Sequence, residues 1–156
     1  MPATLTAGNK APRFRLPGDG GNTYSLADFT GKRLVLYFYP KADTPGCTSE
    51  SKAFSALAAT FAKAGAGVLG VSADPVRLLD KFKAKHGLAL PLASDETHAM
   101  LEAYGAWGEK SMYGRTFMGV IRSTFLIDRD GTILRIWPKV KVAGHAEEVL
   151  TVLRAL

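Results

Sequence analysis

Leu34-Val-Leu-Tyr-Phe-Tyr39-Pro40-Lys-Ala-Asp-Thr44-Pro45-Gly46-Cys47-Thr48 is the stretch that decides how this chain folds. Its first six residues form an apolar run of the kind that makes a buried central strand. Beyond it, Phe54, Leu57, Ala58 and Phe61 recur at spacings of three and four, the pattern of a helix. Thr44 followed by Pro45 is a helix start, with Thr as the N-cap and Pro at the first helical position. Cys47, the only cysteine, therefore falls in the first helical turn. There the unspent backbone N–H groups and the positive end of the helix dipole favour a thiolate, the nucleophilic form. A lone cysteine is otherwise read as a small buried hydrophobe. The strand–loop–helix setting argues for a reactive thiol instead.

Outward from this stretch, the chain is the length of one domain, spanning 1–156. Its 47% hydrophobic and 22% charged residues are those of a globular protein that buries its own core. A single cysteine excludes a disulfide framework and any multi-cysteine metal site. A single exposed thiol fits a reducing compartment, so a cytoplasmic location is expected. No apolar stretch is long enough to span a membrane, and Met1–Lys10 lacks the apolar core of a leader peptide. The net charge of +6 is scattered along the chain. Without a recognisable binding motif it does not indicate a nucleic-acid partner. His86, His98 and His145 have no ligand spacing with one another or with Cys47, so no metal and no cofactor is expected.

The rest of the chain reads as alternating elements. Arg13–Leu16 and Thr23–Leu26 form a short hairpin around the turn at Pro17–Asn22. Ala66–Ser72 is a second buried strand. Asp74-Pro75 repeats the cap-then-Pro signal for a helix with Val76, Leu79 and Phe82 inward, ending at Gly87. Leu90–Ser94 is extended, and Thr97–Tyr104 is helical. Gly105–Gly119, punctuated by glycine, reads as a loop whose Trp107, Tyr113, Phe117 and Met118 anchor it in the core. Ser123–Ile127 and Thr132–Trp137 flank Asp128-Arg-Asp-Gly131 as a hairpin. Glu147–Ala155 closes the chain as an amphipathic helix. Strand–helix–strand–helix followed by a hairpin and a helix gives an α/β fold with a mixed central sheet and helices on both faces.

Pro40-x-x-x-Thr44-x-x-Cys47, with Arg122 far downstream, resembles the peroxiredoxin active-site signature. The wider wording LYFYPKADTPGCTSE, YGAWGEKSMYG and RSTFLID is similar to the bacterioferritin-comigratory, or Q-type, subfamily, from about Gly8 to the C-terminus. The resemblance implies a thioredoxin-like fold and reduction of hydrogen peroxide and alkyl hydroperoxides by a peroxidatic cysteine. It implies Pro40, Thr44, Cys47 and Arg122 as the site.

The residue chemistry agrees. Peroxide reduction needs a deprotonated sulfur, donors where negative charge moves, and little water. Cys47 supplies the sulfur. The Gly46 and Cys47 N–H groups at the helix start can meet an oxygen, and Gly46 leaves room for a small substrate. The Thr44 hydroxyl both donates and accepts. Arg122 is a permanent cation. Pro40 has no N–H and shields the sulfur. Glu50 reads as a structural carboxylate near the helix start, compensating the dipole or joining Arg122 or Lys41.

Q-type relatives often carry a second, resolving cysteine five residues after the first, or in the following helix. Those positions here are Lys52 and the surroundings of Lys83. Oxidised Cys47, a sulfenic acid, therefore requires an external thiol such as thioredoxin, glutaredoxin or glutathione. A monomer is expected. Two other readings compete. A thiol–disulfide oxidoreductase on the same fold lacks its C-x-x-C. A redox sensor or binding module would pass the oxidation of Cys47 to a partner protein.

Overall fold

The computed structural model describes residues 5–156; Met1–Thr4, the start of the segment read for a leader, lie outside it. The strands are β1 (Arg15–Pro17), β2 (Thr23–Ser25), β3 (Arg33–Phe38), β4 (Ala66–Ser72), β5 (Leu92–Ser94), β6 (Trp107–Met112), β7 (Arg115–Val120), β8 (Ser123–Ile127) and β9 (Ile133–Trp137). The helices are α1 (Pro45–Ala56), α2 (Ala58–Lys63), α3 (Val76–His86), α4 (Ala99–Ala103) and α5 (His145–Arg154). The central sheet has the order β5-β4-β3-β8-β9, parallel across the first three strands and antiparallel across the last three. None of the described helices is long and apolar enough to cross a membrane.

Side chains of β3 alternate between two cores, as strand geometry requires. Val35, Tyr37 and Tyr39 join Phe54, Phe61, Leu79, Phe82 and Val149, contributed by α1, α2, α3 and α5. Leu34, Leu36 and Phe38 join Met100, Leu101, Tyr104 and Phe125, with the N-terminal Ala11 and Phe14. Helices thus cover both faces, but unequally. The connections β3–β4 and β4–β5 step in one direction along the sheet. Right-handed crossovers then put their helices on one face, and only α4 serves the other.

Several local expectations give way to tertiary structure. The helix after Cys47 is not continuous. It breaks at Leu57 (φ −99°, ψ 2°) between α1 and α2, although no Gly or Pro stands there. Phe54 and Phe61 are nonetheless both fully buried, so the break preserves the apolar face. Asp74 does not cap α3, which starts at Val76 with Pro75 in the cap position. Its carboxylate accepts instead from the Ala42 N–H (2.7 Å) and the Ser72 hydroxyl (2.8 Å). The Gly105–Gly119 loop is in fact the β6–β7 ribbon, paired from Trp107↔Val120 to Met112↔Arg115. Tyr113 and Gly114 form its two-residue turn with φ of 53° and 75°, the positive pair that a type I′ hairpin demands. A tyrosine in the first of those places, and glycines within the strands, hid the hairpin. Trp107 is half-buried and stacks on His98 at 3.8 Å. Tyr113 is 97% exposed, and Phe117 and Met118 are also exposed, so these three do not anchor the core.

One buried carboxylate ties distant pieces together. Asp19 accepts from the Leu92 N–H (2.9 Å), the Tyr24 hydroxyl (2.9 Å) and the Lys83 ammonium (2.7 Å). It thereby joins the β1–β2 ribbon to β5 and α3. Burial alone would raise its pKa, but the Leu92 N–H, Lys83 and Tyr24 outweigh burial and lower it. Because the folded value lies below the unfolded one, this contribution is present above the ordinary carboxylate range and is lost as pH falls through it. Asp19→Ala is expected to cost about 3 kcal/mol in urea unfolding at pH 7, with the difference from wild type shrinking on acidification toward pH 3.

Candidate active site

The site lies where the carboxyl end of β3 meets the amino end of β8. The antiparallel register pairs Phe38 with Ser123, which brings Arg122 beside the segment leaving β3. Arg122 is held by its own backbone, since its carbonyl accepts from the Val140 N–H at 2.8 Å. The sequence separation between Cys47 and Arg122 is thus closed by strand register.

Cys47 stands in the first turn of α1 and is only 1% exposed, so the expected exposed thiol is buried. It is not merely packed there. The Arg122 Nη2 donates to Sγ at 3.3 Å, and the Lys41 backbone N–H donates at 3.5 Å. Two donors converging on sulfur stabilise negative charge on it. The first helical hydrogen bond runs from the Thr48 N–H to the Thr44 carbonyl (2.8 Å). The Gly46 and Cys47 N–H groups precede it and have no acceptor among the described residues, as a helix start leaves them.

Thr44 occupies the N-cap position, but its side chain does not cap. Its hydroxyl donates to the Lys41 carbonyl at 2.7 Å, closing the loop on itself. Its remaining lone pairs stay available for another donor. Pro40 is half-buried at the end of β3, immediately before the Lys41 N–H that meets the sulfur. Gly46 is a close-approach position. A Cβ there would lie 3.2 Å from Arg122 Nη2, so any side chain would press on the guanidinium.

The loop from Pro40 to Thr44 is held at two points. Asp74 binds the Ala42 N–H from the end of β4. Asp43, at φ 62°, is met by Lys85 (2.8 Å) and by His86 Nε2 (2.9 Å) from α3. Neither Asp74 nor Asp43 carried a sequence signal for this role, because each meets its partners only in the fold.

Glu50 is the network member that the helix dipole alone does not explain. It is 1% exposed, and its Oε1 accepts from Arg122 Nη1 at 2.6 Å. Its Oε2 is buried with no hydrogen-bond partner. Burial pushes the carboxyl up to about 7 in spite of the attraction of Arg122. Arg122 in turn is raised, with Glu50 and Cys47 overcoming its burial. Sγ, Arg122 and Glu50 therefore form one line, with the guanidinium in the middle. No cluster of three or more histidine, cysteine or carboxylate side chains able to hold a metal occurs among the described residues.

Residues 7–136 match the AhpC/TSA family. The chain belongs to that family. It is a peroxiredoxin of the Bcp, or Q, type, with the thioredoxin-like α/β fold. Peroxiredoxin Bcp of Bacillus subtilis is 45% identical over 151 residues, 97% of this chain and 96% of that one. Peroxiredoxin Q of Xanthomonas campestris superposes with a TM-score of 0.86 at 48% identity, covering 91% of this chain and 90% of that one. The Xanthomonas protein has been studied for alkyl peroxide reduction. A cysteine-to-serine variant of Xylella fastidiosa PrxQ superposes with a TM-score of 0.93 at 41% identity, covering 98% of each chain. Solved variants of the Xanthomonas protein replace two different cysteines by serine, whereas this peroxiredoxin has Cys47 alone.

The raised Glu50 pKa has a definite sign in stability. The folded chain holds the Glu50 proton more tightly than the unfolded chain does. Its stabilising contribution is complete below the unfolded value near 4.5 and is lost as pH rises through about 7. Wild type should therefore gain stability relative to Glu50→Gln as pH falls from 8 to 5. Paired urea titrations at those two pH values measure this directly; an unchanged difference would mean that Glu50 ionises normally.

Proposed function

We propose that this peroxiredoxin reduces hydrogen peroxide and alkyl hydroperoxides through Cys47, and that an external thiol returns the cysteine to its reduced form. The observation that carries this reading is the convergence of Arg122 and the Lys41 N–H on Sγ at the start of α1. A thiolate so held attacks the terminal oxygen of R–O–O–H. An S–O bond forms, the O–O bond breaks, and the electron pair leaves on RO⁻, which takes a proton from water. Cys47 becomes a sulfenic acid and the hydroperoxide becomes an alcohol, or water when R is hydrogen.

Charge moves from sulfur toward the departing oxygen during this step. The Gly46 and Cys47 N–H groups and the Arg122 guanidinium are the donors suited to it. The Thr44 hydroxyl, already donating to Lys41, is oriented to accept from the peroxide O–H. Pro40 adds no competing N–H and keeps water from the sulfur. Glu50 holds the guanidinium in place by its short bond to Nη1.

The recycling step follows from the cysteine count. With Cys47 alone, the sulfenic acid has no thiol in its own chain with which to condense. Lys52 is exposed on α1, and Lys83 is engaged by Asp19, so the positions where relatives place a second cysteine serve other ends. A thiol from outside, of the thioredoxin, glutaredoxin or glutathione kind, completes the cycle. A monomer is the working unit in this reading, and a lone cysteine supports a reducing, cytoplasmic setting.

Intact-mass spectrometry of the reduced protein with one equivalent of hydrogen peroxide should show one added oxygen on Cys47 within the mixing time. Cys47→Ser should abolish this and all peroxide consumption, and Arg122→Ala should slow it by about 10²–10³-fold. Peroxide consumption by Cys47→Ser would refute the assignment. Fast oxidation with no recycling by any thiol would favour the sensor reading.

A further inference from the structure

Lys110 is a further cation placed beside the segment that leads into Arg122, and the peroxide chemistry above does not use it. It stands on β6 opposite Phe117 of β7. Its stem crosses the ribbon over Gly119, where a Cβ would lie only 3.1 Å from the lysine Cδ. The missing side chain at Gly119 is what lets the stem lie flat. The ammonium then reaches the Val120 carbonyl at 2.8 Å, two residues before Arg122. Strand alternation turns Glu109 to the opposite side of the ribbon, and Lys110 makes no ion pair among the described residues. Burial pulls its ammonium below the ordinary lysine range; Arg122 adds to this and Cys47 opposes it. Lys41, by contrast, meets the sulfur through its backbone, and its side chain is exposed.

We propose that Lys110 is the positioning residue that selects anionic thiols as the reductants of oxidised Cys47. This rests on the peroxidase reading given above. The argument is one of charge at each stage of the cycle. At pH 8, above the Glu50 value of about 7, the Cys47 thiolate and the ionised Glu50 balance Arg122 and Lys110 in the reduced protein, and the thiols below are compared at that pH. Oxidation converts the thiolate to a neutral sulfenic acid. Arg122 and Lys110 then face Glu50 alone, and the site is net cationic at the moment a reductant must enter. Without Lys110 the same step would leave Arg122 and Glu50 in balance, with nothing to draw in a negative molecule. The incoming thiolate attacks Sγ, forming an S–S bond and breaking S–O; the hydroxide released takes a proton and leaves as water. A second thiolate then attacks the outer sulfur of the mixed disulfide, freeing the Cys47 thiolate and a reductant disulfide.

The test compares three thiols on one two-carbon frame: 2-mercaptoethanesulfonate, 2-mercaptoethanol and cysteamine, with anionic, neutral and cationic tails. Protein is oxidised with one equivalent of hydrogen peroxide, the added oxygen is verified by mass, and the rate of its removal is measured with each thiol. Wild type should favour the sulfonate over the alcohol by about five-fold at low salt, the scale of one partly screened charge. Lys110→Gln should abolish that preference, Lys110→Glu should invert it, and Lys110→Arg should restore it. A purely structural lysine would slow all three thiols together. In wild type alone, added salt should slow the sulfonate most, the alcohol less and cysteamine least, because the attacking thiolates carry net charges of about −2, −1 and 0. An unaltered sulfonate-to-alcohol ratio in Lys110→Gln and Lys110→Glu, or a salt response common to all three thiols, would overturn the proposal while leaving the peroxidase reading intact. Failure of Cys47 to gain oxygen at all would remove both.

Discussion

The site depends on a single guanidinium placed between the Cys47 sulfur and the buried Glu50 carboxyl. Arg122 reaches Sγ of Cys47 with one nitrogen and Oε1 of Glu50 with another. A planar, permanently charged fork can serve both, which a lysine ammonium on a flexible stem would do less rigidly. Glu50 is buried and has one oxygen unpartnered, so it would be costly there without the arginine. The arginine is in turn oriented by the carboxylate. The sulfur thus meets a cation whose position is set from behind, within the protein.

The fold supplies this arrangement through the sheet. β3 ends at the loop that carries Lys41 and Thr44, and β8 begins just after Arg122, because the two strands are antiparallel neighbours. Apolar burial on both faces encloses β3, with Val35 through Phe38 and the following Tyr39 all fully buried. The loop leaving it is held by Asp74 and by Asp43 with its α3 partners. The first turn of α1 is therefore mounted on a strand buried on both faces and a loop held at two points, while the β6–β7 ribbon carries Tyr113 in solvent.

The peroxidatic motif and the mixed sheet were legible because both rest on local chemistry. Strand β3 announces itself by six consecutive apolar residues, and α1 by Thr44-Pro45. The β6–β7 ribbon was not legible. Its strands contain glycine, and its turn places Tyr113 at positive φ, where asparagine or aspartate is the usual signal. The break at Leu57 was hidden for a different reason. The apolar spacing continues across it, and only the packing of Phe54 and Phe61 beneath the sheet accommodates the interruption. Glu50 was visible as a carboxylate near the helix start that could join Arg122 or Lys41, but its burial and the choice of Arg122 were not.

By itself the sequence determined the candidate nucleophile, its place at a helix start, and the absence of a second cysteine. These depend on residue identity and near-neighbour spacing, which chain order preserves. Only the tertiary structure decided that Arg122, Glu50 and the Lys41 N–H meet around one sulfur, that Asp74 binds a loop rather than capping a helix, and that Lys110 lies over Gly119 toward the same site. Those relations join residues far apart in the chain. They exist only once strand register and the burial of two cores bring the segments together.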